Sequence, residues 1–250
     1  MIFFSILLVF TIGIFFHLAV IHFPRILEQT WRSECIEYLH ANYPDSLLDI
    51  PEQKDDPTRS WRLFIPFLSL NFFAWDSLLF VTSFLAIYQT EQLLPLTSLL
   101  IFTWLVMTSC AIDARHQLLP DELTYILLWT GLLFSCWNLH MSAAQAILST
   151  LIAYLSLFII ATLFQWIKKK EGLGQGDIKF FAALAAWTGS VSLPAILLMA
   201  SLSALIVIFL RKIIQKKHHA TPLAFGPFLG LGAWLALLWP NKIQILLLGL

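Results

Sequence analysis

Long apolar runs separated by short polar segments dominate the pattern of this chain. A helix that crosses a bilayer needs about 20 mostly apolar residues, because lipid offers the backbone no hydrogen-bonding partner. The runs that approach this length are Ile2–Ile21, Leu70–Gln89, Leu94–Ile112, Leu123–Leu139, Ala143–Ile167, Ile178–Trp187, Leu193–Leu210 and Pro222–Trp239. The pattern therefore predicts an all-α, polytopic integral membrane protein with about eight transmembrane helices.

The longest polar segment lies between the first two runs. Its first part, Ile26–Leu39, repeats large side chains at a spacing of three to four residues, which predicts an interfacial amphipathic helix. The rest is typical of turns and loop. We expect residues 1–22 to form the first transmembrane helix, residues 23–63 a small cytoplasmic domain, and residues 64–250 a membrane-embedded domain.

The positions of the Lys and Arg residues predict the orientation of the chain in the membrane. All Lys and Arg residues except Lys242 fall beside the connections that follow the first, third, fifth and seventh spans. Because cytoplasmic loops accumulate these residues, the bias predicts that these connections lie in the cytoplasm and that both termini lie on the other side.

Composition excludes several classes of protein. The chain is 59% hydrophobic and 12% charged, far from soluble proteins, and its formal charge of zero provides no basic field for nucleic acid. Its cysteines, Cys35, Cys110 and Cys136, form no CxxC pair, so we expect neither disulfides nor a cysteine zinc site.

Two carboxylates carry the candidate chemistry. Asp113 ends the third span, and Asp177 opens the sixth after a glycine-rich segment that contains Gly174 and Gly176. Both fall on the predicted cytoplasmic side, and two carboxyls that share a site retain one proton between them. Such a pair can act as general acid and base on water and an amide. The glycines leave room for an extended substrate backbone.

Other interpretations stay open at this point. Asp113 and Asp177 can each be ordinary charges at a membrane surface, and Asp121, after Pro120, can simply begin a helix. If the two aspartates pair, the dipoles of their own helices predict that Asp113, at a carboxyl end, is the one more often protonated.

Three ordered motifs resemble those of one family, the prepilin peptidases or type IV leader peptidases, which are membrane aspartic proteases of the GxGD class. They are Ile112-Asp113 with Leu119-Pro120-Asp121, then Gly174-Gln175-Gly176-Asp177-Ile178-Lys179, then Phe225-Gly226-Pro227-Phe228-Leu229. In the N-terminal stretch, Val20-Ile21-His22 and Trp31-Arg32-Ser33-Glu34-Cys35 also look like the family's entry to its cytoplasmic domain.

The resemblance implies cleavage of the leader of type IV prepilins and type II secretion pseudopilins, after a glycine, at the cytoplasmic face of a bacterial inner membrane. It implies periplasmic termini, a peptidase domain over residues 64–250, and N-methylation of the new terminus by S-adenosylmethionine. The matching catalytic positions are Asp113 and Asp177. Asp121, inside the first motif, would be auxiliary, and we predict Gly174, Gly176, Asp121 and Lys179 as substrate-binding residues.

This chain differs from many members of the family in the cysteines that would bind a metal. Many members carry two CxxC pairs in the first cytoplasmic domain, but this segment has only Cys35, so no metal is expected. The segment around Glu34 and Glu37 is the expected location of the methyl-donor site. Two rival functions remain: a transporter whose paired aspartates bind a proton or cation, and a non-catalytic assembly protein of a pilus or secretion machine.

Overall fold

A computed structural model describes residues 93–170, 172–215 and 223–239, together with Ile26, Gln29, Thr30 and Ser33. The chain divides into two units, Met1–Val81 and Thr82–Leu250. The four isolated residues belong to the first unit and are helical and exposed. The predicted spans Ile2–Ile21 and Leu70–Gln89, and the rest of the predicted cytoplasmic domain, lie outside the described residues.

The described part of the second unit is entirely helical. Its helices are α1 (Leu93–His116), α2 (Asp121–Cys136), α3 (Ala143–Lys168), α4 (Gln175–Thr188), α5 (Leu193–Gln215) and α6 (Gly226–Leu238), with a 3-10 turn, Ser190–Ser192, before α5. Each of the last six predicted spans coincides with one of these helices, with ends shifted by a few residues. The all-α prediction is confirmed for this part of the chain.

Three segments of this part are long and apolar enough to cross a membrane. They are Leu94–His116, Ala143–Lys168 and Ser190–Leu210, and α6 is apolar but shorter. In α3 only Ala146, Ser149, Ala153 and Leu157 are buried, and its remaining surface exposes many large apolar side chains. Exposed apolar surface of this extent fits contact with lipid, so the chain is an integral membrane protein.

The short helix α4 forms the centre of the unit. Its residues Phe180–Trp187 are all buried, and the helix packs against α2, α3 and α6. A helix that is apolar on every side belongs in an interior, and its alanines let neighbouring helices approach closely. Its 14 residues span about 21 Å, less than the roughly 30 Å of a hydrocarbon core.

Trp187 fixes the carboxyl end of α4. Its indole N–H donates to the Leu127 carbonyl at 2.8 Å, and its ring lies 5.1 Å from Phe102, 5.5 Å from Phe134 and 5.9 Å from His140 between centroids. Edge and tilted aromatic pairs stabilise beyond their buried area. This cluster ties α4 to α1 and α2 at the end remote from Asp177.

Candidate active site

Asp113 lies in the last turn of α1 and is buried, with 5% of its surface exposed. The helix does not stop there but continues to His116, and Gln117 then adopts a left-handed conformation (φ 53°). The Gln117 N–H donates to the Asp113 carbonyl at 2.8 Å, which closes the helix. The three residues after Asp113 keep it within the helix, and its side chain is buried.

The amino end of α6 meets this carboxylate. The Gly226 N–H donates to Asp113 Oδ2 at 2.9 Å, and Gly226 is the first residue of α6. A helix amino end has unpaired N–H groups and a positive partial charge, so it stabilises an ionised carboxylate. α6 therefore offsets the negative carboxyl end of α1, in which Asp113 itself lies.

Position 226 leaves no room for a side chain while Asp113 keeps its position. A Cβ atom there would lie 2.6 Å from Asp113 Oδ2 and 3.2 Å from its Cγ, far inside van der Waals contact. On the other side, the Cys110 thiol donates to the Gly226 carbonyl at 3.6 Å. The sequence interpretation matched this residue to a motif but gave it no role. The available signal was a Gly-Pro pair at the start of an apolar helix.

Asp177 lies in the first turn of α4, ahead of the apolar stretch Ile178–Trp187. Burial and the negative charge of Asp113 raise the pKa of Asp177 to about 7, although a hydrogen bond from the Gly174 backbone opposes this rise. An aspartate pKa near 7 means that this carboxyl keeps its proton up to neutral pH. The fold thus brings Asp113 and Asp177 close enough to interact electrostatically.

The two glycines before Asp177 have different surroundings. Gly174 is the N-cap of α4 and is exposed. Gly176 packs against the α1–α2 loop, where a Cβ atom would lie 3.2 Å from Leu119 Cβ. The exposed Gly174 therefore has no side chain to block an approaching chain, whereas the small size of Gly176 allows α4 to pack against the loop.

Asp121 and Lys179 contact each other. The Lys179 ammonium donates to Asp121 Oδ2 at 2.7 Å, and the side chains are 32% and 46% exposed for Lys179 and Asp121 respectively. The pair joins the start of α2 to α4 beside the Leu119 contact, at the same end of the unit as Asp113 and Asp177. Both residues were predicted to bind substrate; the structure engages them with one another, and a substrate role stays a prediction.

Cofactor positions are only partly covered by the described residues. Within residues 93–170, 172–215 and 223–239, no group of three or more His, Cys, Asp or Glu side chains could hold a metal ion. Cys35, and Glu34 and Glu37 near the expected methyl-donor site, lie outside the described part of the chain.

Comparison with known proteins identifies similar chains. The model of the type IV leader peptidase family matches residues 100–209, which include Asp113 and Asp177. The prepilin leader peptidase/N-methyltransferase of Xanthomonas campestris is 32% identical over 259 residues, covering 93% of this chain and 89% of its own. The protein of the same name from Aeromonas hydrophila is 30% identical over 275 residues, covering 96% and 92%.

A third relative matches more strongly over a shorter length. The prepilin leader peptidase/N-methyltransferase of Pseudomonas aeruginosa is 41% identical over 148 residues, which cover 58% of this chain and 50% of that protein. No solved structure matches this chain significantly.

Proposed function

This chain belongs to the type IV leader peptidase family, and we propose that it cleaves the leaders of type IV prepilins and type II secretion pseudopilins. The cut follows a glycine, at the cytoplasmic face of a bacterial inner membrane. The prepilin substrate extends to this chain what the names of its relatives state; the pseudopilins, the glycine and the membrane face come from the family resemblance of the sequence motifs.

One observation supports the chemistry above the others. Asp113 accepts the terminal N–H of α6, and its charge helps to raise the pKa of Asp177 to about 7. The Gly226 bond favours the ionised form of Asp113, and Asp177 is the carboxyl that keeps its proton near neutral pH. This is the division of roles that peptide hydrolysis by two carboxyls needs.

The proposed reaction follows from that division. Ionised Asp113 takes a proton from water, and the water oxygen bonds to the carbonyl carbon of the scissile peptide. Protonated Asp177 donates to the carbonyl oxygen as negative charge develops there. The C–N bond then breaks: the amine leaves with the proton that Asp113 received, and a hydroxyl of the resulting diol returns a proton to Asp177, so the acid and the amine form without a redox partner.

This assignment reverses the one predicted from the sequence. The prediction from the sequence placed the proton on Asp113, because it considered only the dipole of the helix that carries each residue. The Gly226 amide adds the positive end of a third helix to Asp113. We therefore assign the proton to Asp177 and the charge to Asp113.

The glycines and the ion pair take supporting roles in this proposal. The exposed backbone at Gly174 admits the substrate chain beside Asp177. Gly176 lets the Leu119 loop close on α4, and the Asp121–Lys179 pair holds that loop beside the two carboxyls.

Methyl transfer is the second proposed activity. The relatives carry N-methyltransferase in their names, and S-adenosylmethionine would supply the methyl group to the amine released by cleavage. We place the donor in the cytoplasmic segment around Glu34 and Glu37. Cleavage creates the amine that methylation consumes, so the two activities act in a fixed order.

The rival functions fit the geometry less well. A proton or cation carrier of this kind binds its cargo near the middle of the membrane, but Asp113 lies in the last turn of α1 and Asp177 in the first turn of α4. A non-catalytic assembly protein has no need of a carboxyl whose pKa is raised to about 7.

The test is cleavage of a purified prepilin by the purified chain in detergent, followed by mass measurement of the product. We expect cleavage by the wild-type chain and a mass increase of one methyl group with S-adenosylmethionine. Asp113→Asn and Asp177→Asn each abolish cleavage, whereas Asp121→Asn retains it. Proton flux in vesicles without cleavage would support the transporter instead.

A further inference from the structure

The end of α3 separates from the bundle. Its buried positions stop at Leu157, and residues 158–168 contain none. The chain then turns back, so that a Cβ atom on Gly172 would overlap the Phe164 ring. The segment that leads to Asp177 therefore runs back beside the last turns of α3 instead of lying beyond them.

A cavity of about 70 Å³ opens between these turns and the start of α4. Thr162 and Gln165 line it from α3, and Leu173, Gln175 and Ile178 line it from the returning segment and α4. Gln175 precedes Asp177 by two residues and Ile178 follows it directly, so the cavity adjoins the candidate active site.

The polar side chains that line this cavity have no partner within the part of the chain that the structure describes. Thr150, on the same helix, donates its hydroxyl to the Ala146 carbonyl at 2.9 Å. Thr162, by contrast, forms no such bond, and the Gln165 and Gln175 carboxamides form none either. All three side chains are exposed, so their donors and acceptors are available to a polar occupant of the cavity.

The size of the cavity selects the conformation of the occupant. A volume of about 70 Å³ cannot take a helix, which is roughly 10–12 Å wide with its side chains. A short stretch of extended main chain can reach it, and this stretch carries N–H and C=O groups that a helix would have paired internally. Carboxamides and a hydroxyl both donate and accept hydrogen bonds, which matches such a backbone.

We propose that Thr162, Gln165 and Gln175 form a subsite that binds the precursor's main chain in extended form beside the scissile bond. The inference rests on the proposed peptidase function and adds the positions where the unwound substrate is held. The precursor enters from the lipid side of α3, where the last turns leave the bundle.

The test compares two variants of α3 that make the same kind of change. Thr162→Val with Gln165→Leu removes the polar groups from the cavity wall, while Thr150→Val removes a hydroxyl that is bonded within its own helix. Loss of two hydrogen bonds to the substrate lowers kcat/KM for a purified prepilin about tenfold. The Thr150→Val enzyme keeps the wild-type value.

A binding measurement separates this effect from altered folding. In an Asp177→Asn background, a photo-crosslinking residue in place of Gln165 captures uncleaved prepilin next to its cleavage position. The control carries the same residue in place of Ile147, at the opposite end of α3, and captures no prepilin. Equal kcat/KM for the two α3 variants and no capture at position 165 overturn the subsite while leaving the peptidase function in place. Failure of the wild-type chain to cleave prepilin overturns both.

Discussion

The contact between Gly226 and Asp113 can be tested by a single substitution in the candidate active site. In Gly226→Ala the new Cβ atom would lie 2.6 Å from Asp113 Oδ2, so either the start of α6 or the Asp113 side chain must shift. The movement breaks the 2.9 Å bond from the Gly226 N–H. A hydrogen bond to a charged group is worth about 1.5–3 kcal/mol.

If that bond stabilises Asp113 as the base that takes a proton from water, its loss lowers the rate of prepilin cleavage. Each 1.4 kcal/mol changes a rate about tenfold, so kcat/KM for prepilin cleavage should fall roughly 10- to 100-fold. The assay is cleavage of a purified prepilin by detergent-solubilised enzyme, with the melting temperature recorded for the same preparations.

Gly230→Ala provides the matched control. Its Cβ atom would overlap Cys110 Sγ and lie 2.9 Å from Val106 Cγ1, so it disturbs the same α1–α6 contact one turn further along. It leaves the Gly226 amide in place. We expect both variants to melt at lower temperature, but only Gly226→Ala to lose most of its activity. Equal activities in the two variants would refute the role given to the amide.

Three further predictions follow from other contacts. Since Asp177 with a pKa of about 7 acts in its protonated form, kcat/KM for cleavage should decline as the pH rises through 7, and a profile flat to pH 9 contradicts this. Asp121→Lys should lower the free energy of unfolding by no more than about 1 kcal/mol, because the ion pair with Lys179 is partly exposed. Combining Asp121→Lys with Lys179→Asp should recover part of the lost free energy of unfolding. No recovery would mean that the two side chains do not interact. Trp187→Phe removes the donor to the Leu127 carbonyl and should cost about 1–3 kcal/mol in denaturant unfolding with prepilin cleavage retained; an unchanged unfolding midpoint contradicts the anchoring role.

Hydropathy could predict the helices because lipid leaves the backbone few alternatives. In the described part of the chain, six apolar runs correspond to α1–α6, and even the short run Ile178–Trp187 was found, because a helix enclosed by its neighbours is apolar on every side. The location of Asp113 and Asp177 at one end of the unit followed from counting crossings between them.

The contacts between helices could not be predicted in this way. Gly226 and Asp113 are 113 residues apart, and neither the period nor the composition of either helix specifies that they meet. The same holds for Asp121 and Lys179, which were interpreted as separate substrate contacts and lie in one ion pair. The choice of protonated carboxyl depended on such a contact, since a neighbouring helix supplied the donor.

Infrared difference spectroscopy of the purified chain tests the shared proton most directly. The account predicts a protonated-carboxyl band that titrates with a midpoint near pH 7, vanishes in Asp177→Asn and moves to lower pH in Asp113→Asn, where the neighbouring charge is gone. A wild-type spectrum whose carboxyls all titrate near pH 4, or a midpoint that Asp113→Asn leaves unchanged, contradicts the pairing of Asp113 with Asp177.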